Sequence, residues 1–316
     1  MKCLVIYYSQ TGNTEKVARA IQAGVIAEAG HCDLVRIKDA NPGALNTYDL
    51  IGVGCPVYDL YEPLNVKLFI NKMRFVGGRH VFAFSTHGCL PEFFAPSIMP
   101  RLKRRGLVVI GIRDWYAKSY LPMTPDPYPT DGHPDATDLQ EAEAFGSAMV
   151  KRSQRIAAGE SDLIPPIPPS PPPMPALPPL PNVDLNQMSN PFRAMLRFHK
   201  EKCLFPECTL CMENCPMDGM DHSVNPSVIA TPCIGCNFCT MICPTGALDD
   251  SAWLGLFAAG HHNLESMKAD LLPRLAQAEA DGAFRRLVPV EKIGFDTPLC
   301  VTHSGRPMWT IGKGLS

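Results

Sequence analysis

The sequence lacks a long apolar run, and none approaches the roughly 18 residues that a membrane-crossing helix needs. It also lacks a basic N-terminal stretch followed by an apolar core and a cleavage site, which a secretory signal would have. Its net charge is only −2 at pH 7, which favours neither nucleic acid nor an anionic membrane as a partner. We therefore expect a cytoplasmic protein with no nucleic-acid partner and no membrane partner.

Cysteine, by contrast, is abundant and unevenly placed. Of 13 cysteines, eight form two runs of four, and a proline follows the last cysteine of each run. The first run is Cys203, Cys208, Cys211 and Cys215, and the second is Cys233, Cys236, Cys239 and Cys243. The second run reads C-x2-C-x2-C-x3-C-P, the bacterial ferredoxin pattern for a [4Fe–4S] cluster. Thiolates suit such clusters because they are soft, anionic donors.

In paired runs of this kind, the last cysteine of each run ligates the other cluster. We therefore predict two [4Fe–4S] clusters, one on Cys203, Cys208, Cys211 and Cys243, and one on Cys233, Cys236, Cys239 and Cys215. The first run departs from the pattern, because four residues instead of two separate its first two cysteines. A single cluster beside a damaged site, or a tetrahedral zinc site, are the alternatives. Iron–sulfur clusters favour a reducing compartment and an anaerobic host.

The N-terminal segment begins with a nearly continuous apolar run at residues 2–8, which predicts a strand buried on both faces of a parallel sheet. A hydroxyl-rich loop and a helical apolar pattern follow. The loop consists of Ser9, Gln10, Thr11, Gly12, Asn13 and Thr14. Backbone N–H groups and the helix dipole at such a junction attract phosphate. The loop has neither the lysine of the nucleotide P-loop nor the G-x-G-x2-G glycines, and an ordinary capped strand–turn–helix junction is the alternative.

This loop resembles the FMN phosphate loop of the flavodoxin family, and the resemblance covers roughly residues 1–160. It implies an α/β fold, a doubly wound, parallel five-stranded sheet that is flavodoxin-like, with FMN past the carboxyl ends of the strands. The later strands are expected at 32–37, 50–55, 81–85 and 107–112. Helices are expected at 64–73 and 139–156.

Two further loops resemble the flavin-binding loops of that family. Pro56, Val57 and Tyr58 follow the third expected strand, and the tyrosine would pack on the isoalloxazine or, alternatively, on the end of the sheet. The other loop follows the fourth strand and would contact the pyrimidine edge of the flavin through its backbone. It consists of Thr86, His87, Gly88 and Cys89. His87 would face substrate or be an ordinary polar loop residue, and residues 113–138 would form a lid or a surface loop.

The domain organisation follows from a proline-rich stretch. Eleven of the residues from Pro165 to Pro181 are proline, which predicts an extended, semi-rigid linker. We expect four parts, namely a flavodoxin-like FMN domain at 1–160, the linker at 161–182, a small α+β ferredoxin-like domain with two clusters at 183–250, and a C-terminal extension at 251–316. We also expect a short helix at 190–200 and a helix at 264–280 that Pro273 kinks or divides.

The whole chain resembles the flavodoxin–ferredoxin fusions, a group of iron–sulfur flavoproteins. This resemblance implies that single electrons pass from the clusters to FMN for two-electron reduction of an organic substrate. An electron-relay protein without its own substrate and a redox sensor are the alternatives. Residues 184–250 carry a formal charge of −4, which favours a basic or ferredoxin-like one-electron donor as a partner. The stiff linker favours a homodimer in which one chain's clusters serve the partner's FMN, and a monomer is the rival.

Overall fold

The computed structural model describes residues 1–120, 124–169, 196–223, 228–229, 233–252 and 264–295. These residues divide into two compact units. The first unit contains residues 1–118 and 130–169, and the second contains residues 119–120, 124–129 and the described residues from 196 onward. Most of the expected linker, at 170–182, and about half of the expected extension, at 253–263 and 296–316, lie outside the described residues.

The first unit is built on one parallel sheet of five strands. The strands are β1 (Cys3–Tyr7), β2 (Cys32–Arg36), β3 (Leu50–Pro56), β4 (His80–His87) and β5 (Val108–Tyr116). Their order in the sheet is β2-β1-β3-β4-β5, and every neighbouring pair is parallel. All five residues of β1 are buried, as an apolar strand covered on both faces requires. The expected flavodoxin-like sheet is confirmed.

Four helices cover this sheet. They are α1 (Asn13–Ala29), α2 (Leu64–Lys72), α3 (Phe94–Arg104) and α4 (Ala136–Ala157). The helices α1 and α4 pack together, and Val17, Ile21 and Phe145 share their apolar core with alternate residues of β1. Helix α4 begins three residues earlier than expected, because Asp135 and Asp138 form a capping box at its N-terminus.

Three strands are longer than the sequence indicates, and the first of them, β3, ends at Pro56, which we expected in a loop. Thr86 and His87, which we expected in a loop, are the last residues of β4, and β5 continues to Tyr116 instead of ending near residue 112. The strands pair along this whole length, with Thr86 opposite Trp115 and His87 opposite Tyr116. Pairing between β4 and β5 therefore extends both strands toward the edge of the sheet where we expect the flavin.

The second unit contains short elements around the cysteines. They are β6 (Arg197–Phe198), α5 (Leu210–Glu213), β7 (Met220–Asp221), β8 (Val228–Ile229), α6 (Phe238–Ile242), β9 (Leu248–Asp249) and α7 (Leu264–Ala280). Strands β6 and β9 pair antiparallel, as do β7 and β8. The result is a small α+β module followed by one longer helix.

Two expectations about helices in this unit have different outcomes. The expected helix at 190–200 is wrong where it can be checked, because residues 196–200 contain β6 and the start of a 3-10 turn, and residues 190–195 lie outside the described residues. The helix at 264–280 is confirmed as α7, and Pro273 lies inside it without dividing it. Among the described residues, none of the helices has both the length and the apolar character to cross a membrane.

Candidate functional site

The loop between β1 and α1 has the geometry of an anion-binding junction. Gly12 is the N-cap of α1 and has a left-handed backbone, with φ of 91°. A side chain is strained there, and glycine also lets a ligand approach the backbone closely. Because glycine has no side chain, no N-cap side chain accepts a hydrogen bond from the first N–H groups of α1. Ser9, Gln10 and Thr11 are partly exposed, whereas Asn13 and Thr14 are buried.

The two buried loop residues are fixed by neighbouring strands and loops. The hydroxyl oxygens of Thr14 and Thr86 lie 2.7 Å apart, and either can be the donor. The Asn13 side-chain amide donates to the Lys118 carbonyl at 3.2 Å. A hydroxyl has one proton, so Thr14 can donate to a phosphate only when Thr86 donates to Thr14. Thr86 therefore supports the phosphate loop, a role that the sequence did not indicate.

The segment after β3 forms a tight turn that contacts the phosphate loop. Tyr58 and Tyr61 exchange two backbone hydrogen bonds, of 2.9 and 3.0 Å. The turn between them places Asp59 and Leu60 at φ of 48° and 73°. Leucine rarely adopts this conformation, and such strain occurs preferentially at functional loops. The Tyr58 hydroxyl donates to the side-chain carbonyl of Gln10, so this loop and the phosphate loop are joined directly.

The C-terminal end of β4 is held by Asp114, a residue that sequence reasoning missed. The His87 Nε2 atom lies 2.8 Å from a carboxylate oxygen of Asp114 on β5. The imidazole is only 2% exposed and lies against Tyr116, with ring centroids 4.7 Å apart. Burial alone would raise the pKa of Asp114, but the hydrogen bond and charge of His87 outweigh burial and lower it. His87 is therefore fixed against β5. Our expectation that it would be a loop residue was wrong, because it is the last residue of β4.

These three segments fit the phosphate and ring of FMN in their chemistry. Backbone hydrogen bonds join them, because Tyr8 N donates to Gly54 O and Val57 N donates to Thr86 O, both at 2.9 Å. The Gln10 Nε2 atom is buried, and no hydrogen-bond partner for it occurs in the described part of the chain. Buried polar atoms are nearly always paired, so an unpaired donor beside the loop fits a polar ligand. The individual FMN contacts stay predictions.

The cysteines of the second unit come together in two groups. Cys203, Cys208, Cys211 and Cys243 line a recess with an empty volume of about 340 Å³. Burial, followed by the charges of the other three thiols, raises the pKa of Cys211 to about 11. The first group thus combines three cysteines of the first run with the last cysteine of the second.

The other four predicted ligands form the second group. Cys215, Cys233, Cys236 and Cys239 line a recess with an empty volume of about 490 Å³, and Cys211 also reaches its wall. Burial, followed by the charges of its four cysteine neighbours, raises the pKa of Cys239 well above the ordinary value. The structure therefore brings together the four cysteines that we predicted for each cluster.

Backbone N–H groups point at several of these sulfurs. Gly219 N donates to Cys215 Sγ and Ala247 N donates to Cys243 Sγ, both at 3.2 Å. Burial would raise the pKa of Cys243, but backbone donors at Leu248, Thr245 and Ala247 outweigh it and lower the pKa. Donors of this kind stabilise thiolate, the form that binds iron. Two groups of four soft sulfur donors fit [4Fe–4S] clusters, although ligation itself stays a prediction.

Models of two protein families match two separate segments of the chain. A model of the flavodoxin family matches residues 5–84, and a model of the 4Fe-4S binding domain matches residues 226–249. An uncharacterized protein of Methanocaldococcus jannaschii is 28% identical over 159 residues, which are 48% of this chain and 99% of that protein. An uncharacterized ferredoxin of the same organism is 40% identical over 48 residues, which are 15% of this chain and 77% of that protein. The chain belongs to the flavodoxin–ferredoxin fusions.

The flavodoxin half of the fusion also has a bacterial relative. Flavodoxin from Megasphaera elsdenii is 29% identical over 110 residues, which are 34% of this chain and 80% of that protein. The flavodoxin domain supports FMN as a cofactor, and the 4Fe-4S binding domain supports at least one cluster. The fusion is therefore an electron-transfer protein that joins a flavin domain to an iron–sulfur domain.

Proposed function

We propose that this protein is an oxidoreductase that accepts single electrons at two [4Fe–4S] clusters and delivers them in pairs, through FMN, to an organic substrate. The observation that carries the proposal is the grouping of eight cysteines into two sets of four, each around its own recess. A bound FMN would supply the conversion between one-electron and two-electron transfer.

The two recesses are close enough to share a residue. Cys211 belongs to the first group, and it also lines the recess of the second group. The charges of Cys215 and Cys211 both contribute to raising the pKa of Cys239, after burial and the charges of Cys236 and Cys233. This shared wall supports two adjacent clusters, between which an electron has only a short distance to travel.

The first recess has a surface suited to receiving a donor protein. Leu204 and Leu210 line it and are 49% and 39% exposed. The segment 196–223, which contributes both leucines, carries five acidic and three basic side chains. An apolar centre within a surface that has an acidic excess favours a partner with a complementary basic surface. We therefore propose a basic one-electron donor protein that docks at the first cluster.

In the flavodoxin domain, each loop has a distinct proposed role. The N–H groups at the start of α1 and the hydroxyls of Ser9 and Thr11 bind the phosphate, while Thr86 orients the hydroxyl of Thr14. Tyr58 packs on the flavin ring, in a turn that Gln10 holds against the phosphate loop. Asp114 holds the side chain of His87 in place at the end of β4.

Reduction kinetics test the path through the clusters. Full-length protein, purified without oxygen, is mixed with reduced methyl viologen, a cationic one-electron donor, and FMN absorbance is followed. We expect Cys236→Ala to slow FMN reduction, because it damages the second group. Cys3→Ala is the matched control, because Cys3 is buried in β1 of the other unit. Equal rates in all three proteins would contradict a path through the clusters.

Electron relay is the second candidate function, and the flavodoxin relative favours it. The chain matches 80% of the length of a protein whose name is simply flavodoxin. The fully reduced protein is therefore mixed either with a one-electron acceptor protein or with small quinones, enones and nitroaromatic compounds. Saturable oxidation by a small acceptor supports the oxidoreductase. Oxidation by the acceptor protein alone supports the relay.

A further inference from the structure

The imidazole of His222 lies against a cysteine sulfur inside the ferredoxin module. Its Nε2 atom is 3.3 Å from Cys211 Sγ, and the residue is only 8% exposed. The ring stacks on Phe198, with centroids 4.6 Å apart and ring planes inclined by 13°. His222 also lines the recess of the first cysteine group. Packing on one face and the sulfur at one edge thus fix the position of this ring.

The direction of this contact follows from the chemistry of a ligated cysteine. A thiolate bound to iron has no proton and can only accept a hydrogen bond. The facing Nε2 atom of His222 therefore carries a proton and donates it to the sulfur. The Nδ1 atom is buried, and among the described residues it has no hydrogen-bond partner that would favour the opposite tautomer.

An internal repeat shows that the position matching His222 in the second half of the module is not a histidine. The sequence after Cys215 and the sequence after Cys243 match at a spacing of 28 residues, and each has a proline followed by a short strand. Each repeat then has the same side-chain cap, because Ser223 N and Ser251 N donate to the aspartates two residues earlier, at 2.9 and 2.8 Å. His222 corresponds to Asp250 in this repeat.

Asp250 has a different partner. Its carboxylate accepts a hydrogen bond of 2.7 Å from the Thr240 hydroxyl, on α6. A carboxylate is an acceptor and cannot donate to a thiolate while it is ionised. The two cysteine groups therefore differ at one matched position, where one repeat has a buried donor beside a sulfur and the other has a partly exposed acceptor bonded elsewhere.

We infer that His222 donates an Nε2–H···S hydrogen bond to Cys211 and thereby raises the reduction potential of the first cluster without raising that of the second. This inference rests on the proposed function, because it requires both clusters. A donor at a ligand sulfur stabilises the additional negative charge of the reduced cluster, and hydrogen bonds to sulfur are among the factors that set cluster potentials. His222 is thus a positioning residue that shifts electrons toward the first cluster.

The test is a redox titration of full-length protein carrying both clusters, followed by electron paramagnetic resonance. His222→Phe keeps an aromatic ring on Phe198 but removes the donor. We expect one cluster to need a lower potential, by an amount equal to about a tenfold change in its ratio of reduced to oxidised form, or about 59 mV for one electron. The other cluster should be unchanged, and His222→Gln, which restores an N–H donor, should recover part of the shift.

His199→Phe is the matched control. His199 is in the same module, but its ring nitrogens face Glu201 and Asp249, at 3.3 and 3.5 Å, and not a sulfur. This variant should leave both potentials as in the wild type. Unchanged potentials in His222→Phe, or equal shifts of both clusters, would overturn the inference.

Iron content separates failure of this inference from failure of the proposed function. About four iron atoms in the wild type, instead of about eight, would sink the two-cluster proposal before any variant is compared. If only His222→Phe loses iron, wild-type protein labelled with ¹⁵N-histidine decides the question. Pulsed electron paramagnetic resonance should then show a histidine nitrogen coupled to a reduced cluster, and absence of that coupling would overturn the inference.

Discussion

The hydroxyl of Thr14 has one proton, which it can donate either to the Thr86 hydroxyl or to a phosphate oxygen of bound FMN. Because a hydrogen bond to a charged group contributes about 1.5–3 kcal/mol, Thr14→Val should weaken FMN binding by roughly tenfold to a hundredfold. Thr86→Val is the comparison variant and should weaken binding less, since it removes the partner that orients the Thr14 hydroxyl but leaves the Thr14 proton free to reach the phosphate. Flavin titration of the apoprotein measures both affinities. Equal losses in the two variants, or no loss in Thr14→Val, would contradict this assignment.

The pair of His87 and Asp114 predicts how stability changes with pH. The pKa of Asp114 is lowered in the folded state, so its ionised form stabilises the fold above the ordinary aspartate pKa of about 3.9. This contribution disappears as the pH falls through the lower, folded-state pKa. Asp114→Asn should therefore lose less stability than the wild type between about pH 5 and about pH 3, as measured by urea unfolding. The control is Asp39→Asn, at an exposed aspartate, which should lose as much stability over this pH range as the wild type. If stability fell with pH as steeply in Asp114→Asn as in the wild type, the contribution of the His87–Asp114 pair would be refuted.

At the scale of elements, α1 and α4 approach each other through two glycines. A Cβ atom at Gly146 would lie 2.2 Å from Ile21 O, and one at Gly24 would lie 1.8 Å from Glu143 O. Both contacts are with backbone, which cannot move without separating the helices. Gly146→Ala should therefore destabilise the domain by about 1–3 kcal/mol, although alanine favours a helix by about 1 kcal/mol relative to glycine.

Urea unfolding of the full chain, followed by circular dichroism, measures this change. The reference is Ala148→Gly on the exposed side of the same helix, which should cost about 1 kcal/mol through helix propensity alone. If Gly146→Ala were as stable as the wild type or more stable, the close approach of α1 and α4 would be wrong.

Much of the sheet could be predicted from the sequence, because buried parallel strands are continuous apolar runs. Helix α3 was not predicted, since Pro96 and Pro100 argue against a helix. Pro96 is the third residue of α3, where its missing N–H has no helical acceptor, so only Pro100 removes an internal bond. The ends of β4 and β5 were also missed, because pairing between strands, and not the pattern of one strand, decides where they end.

The same limit applies to the candidate site. Cysteine spacing is a local feature, so the amino-acid sequence alone indicates both groups of four. The pairs Thr14 with Thr86, Gln10 with Tyr58 and His87 with Asp114 join segments far apart in the sequence, and only the fold brings them together. His222 was missed for a related reason, since its position depends on stacking against Phe198.

At the scale of the whole molecule, the proline-rich composition of residues 165–181 predicts a stiff linker, and we therefore propose a homodimer in which the clusters of one chain serve the FMN of the other. A variant with Thr11→Val and Thr14→Val would bind FMN poorly, and Cys236→Ala would lack an intact second group. Neither should reduce FMN through the clusters alone, but co-expression should restore transfer in mixed dimers. A single-chain mass by light scattering, or no restoration, would refute the exchange.

We propose that one chain holds one FMN and two [4Fe–4S] clusters on a single electron path. An anaerobic coulometric titration of the purified protein, normalised to chain concentration, tests this composition. We predict about four electrons per chain, since FMN takes two and each cluster takes one. A count of about three electrons would mean that only one cluster is present. A count of about two would contradict the presence of FMN and clusters in one chain.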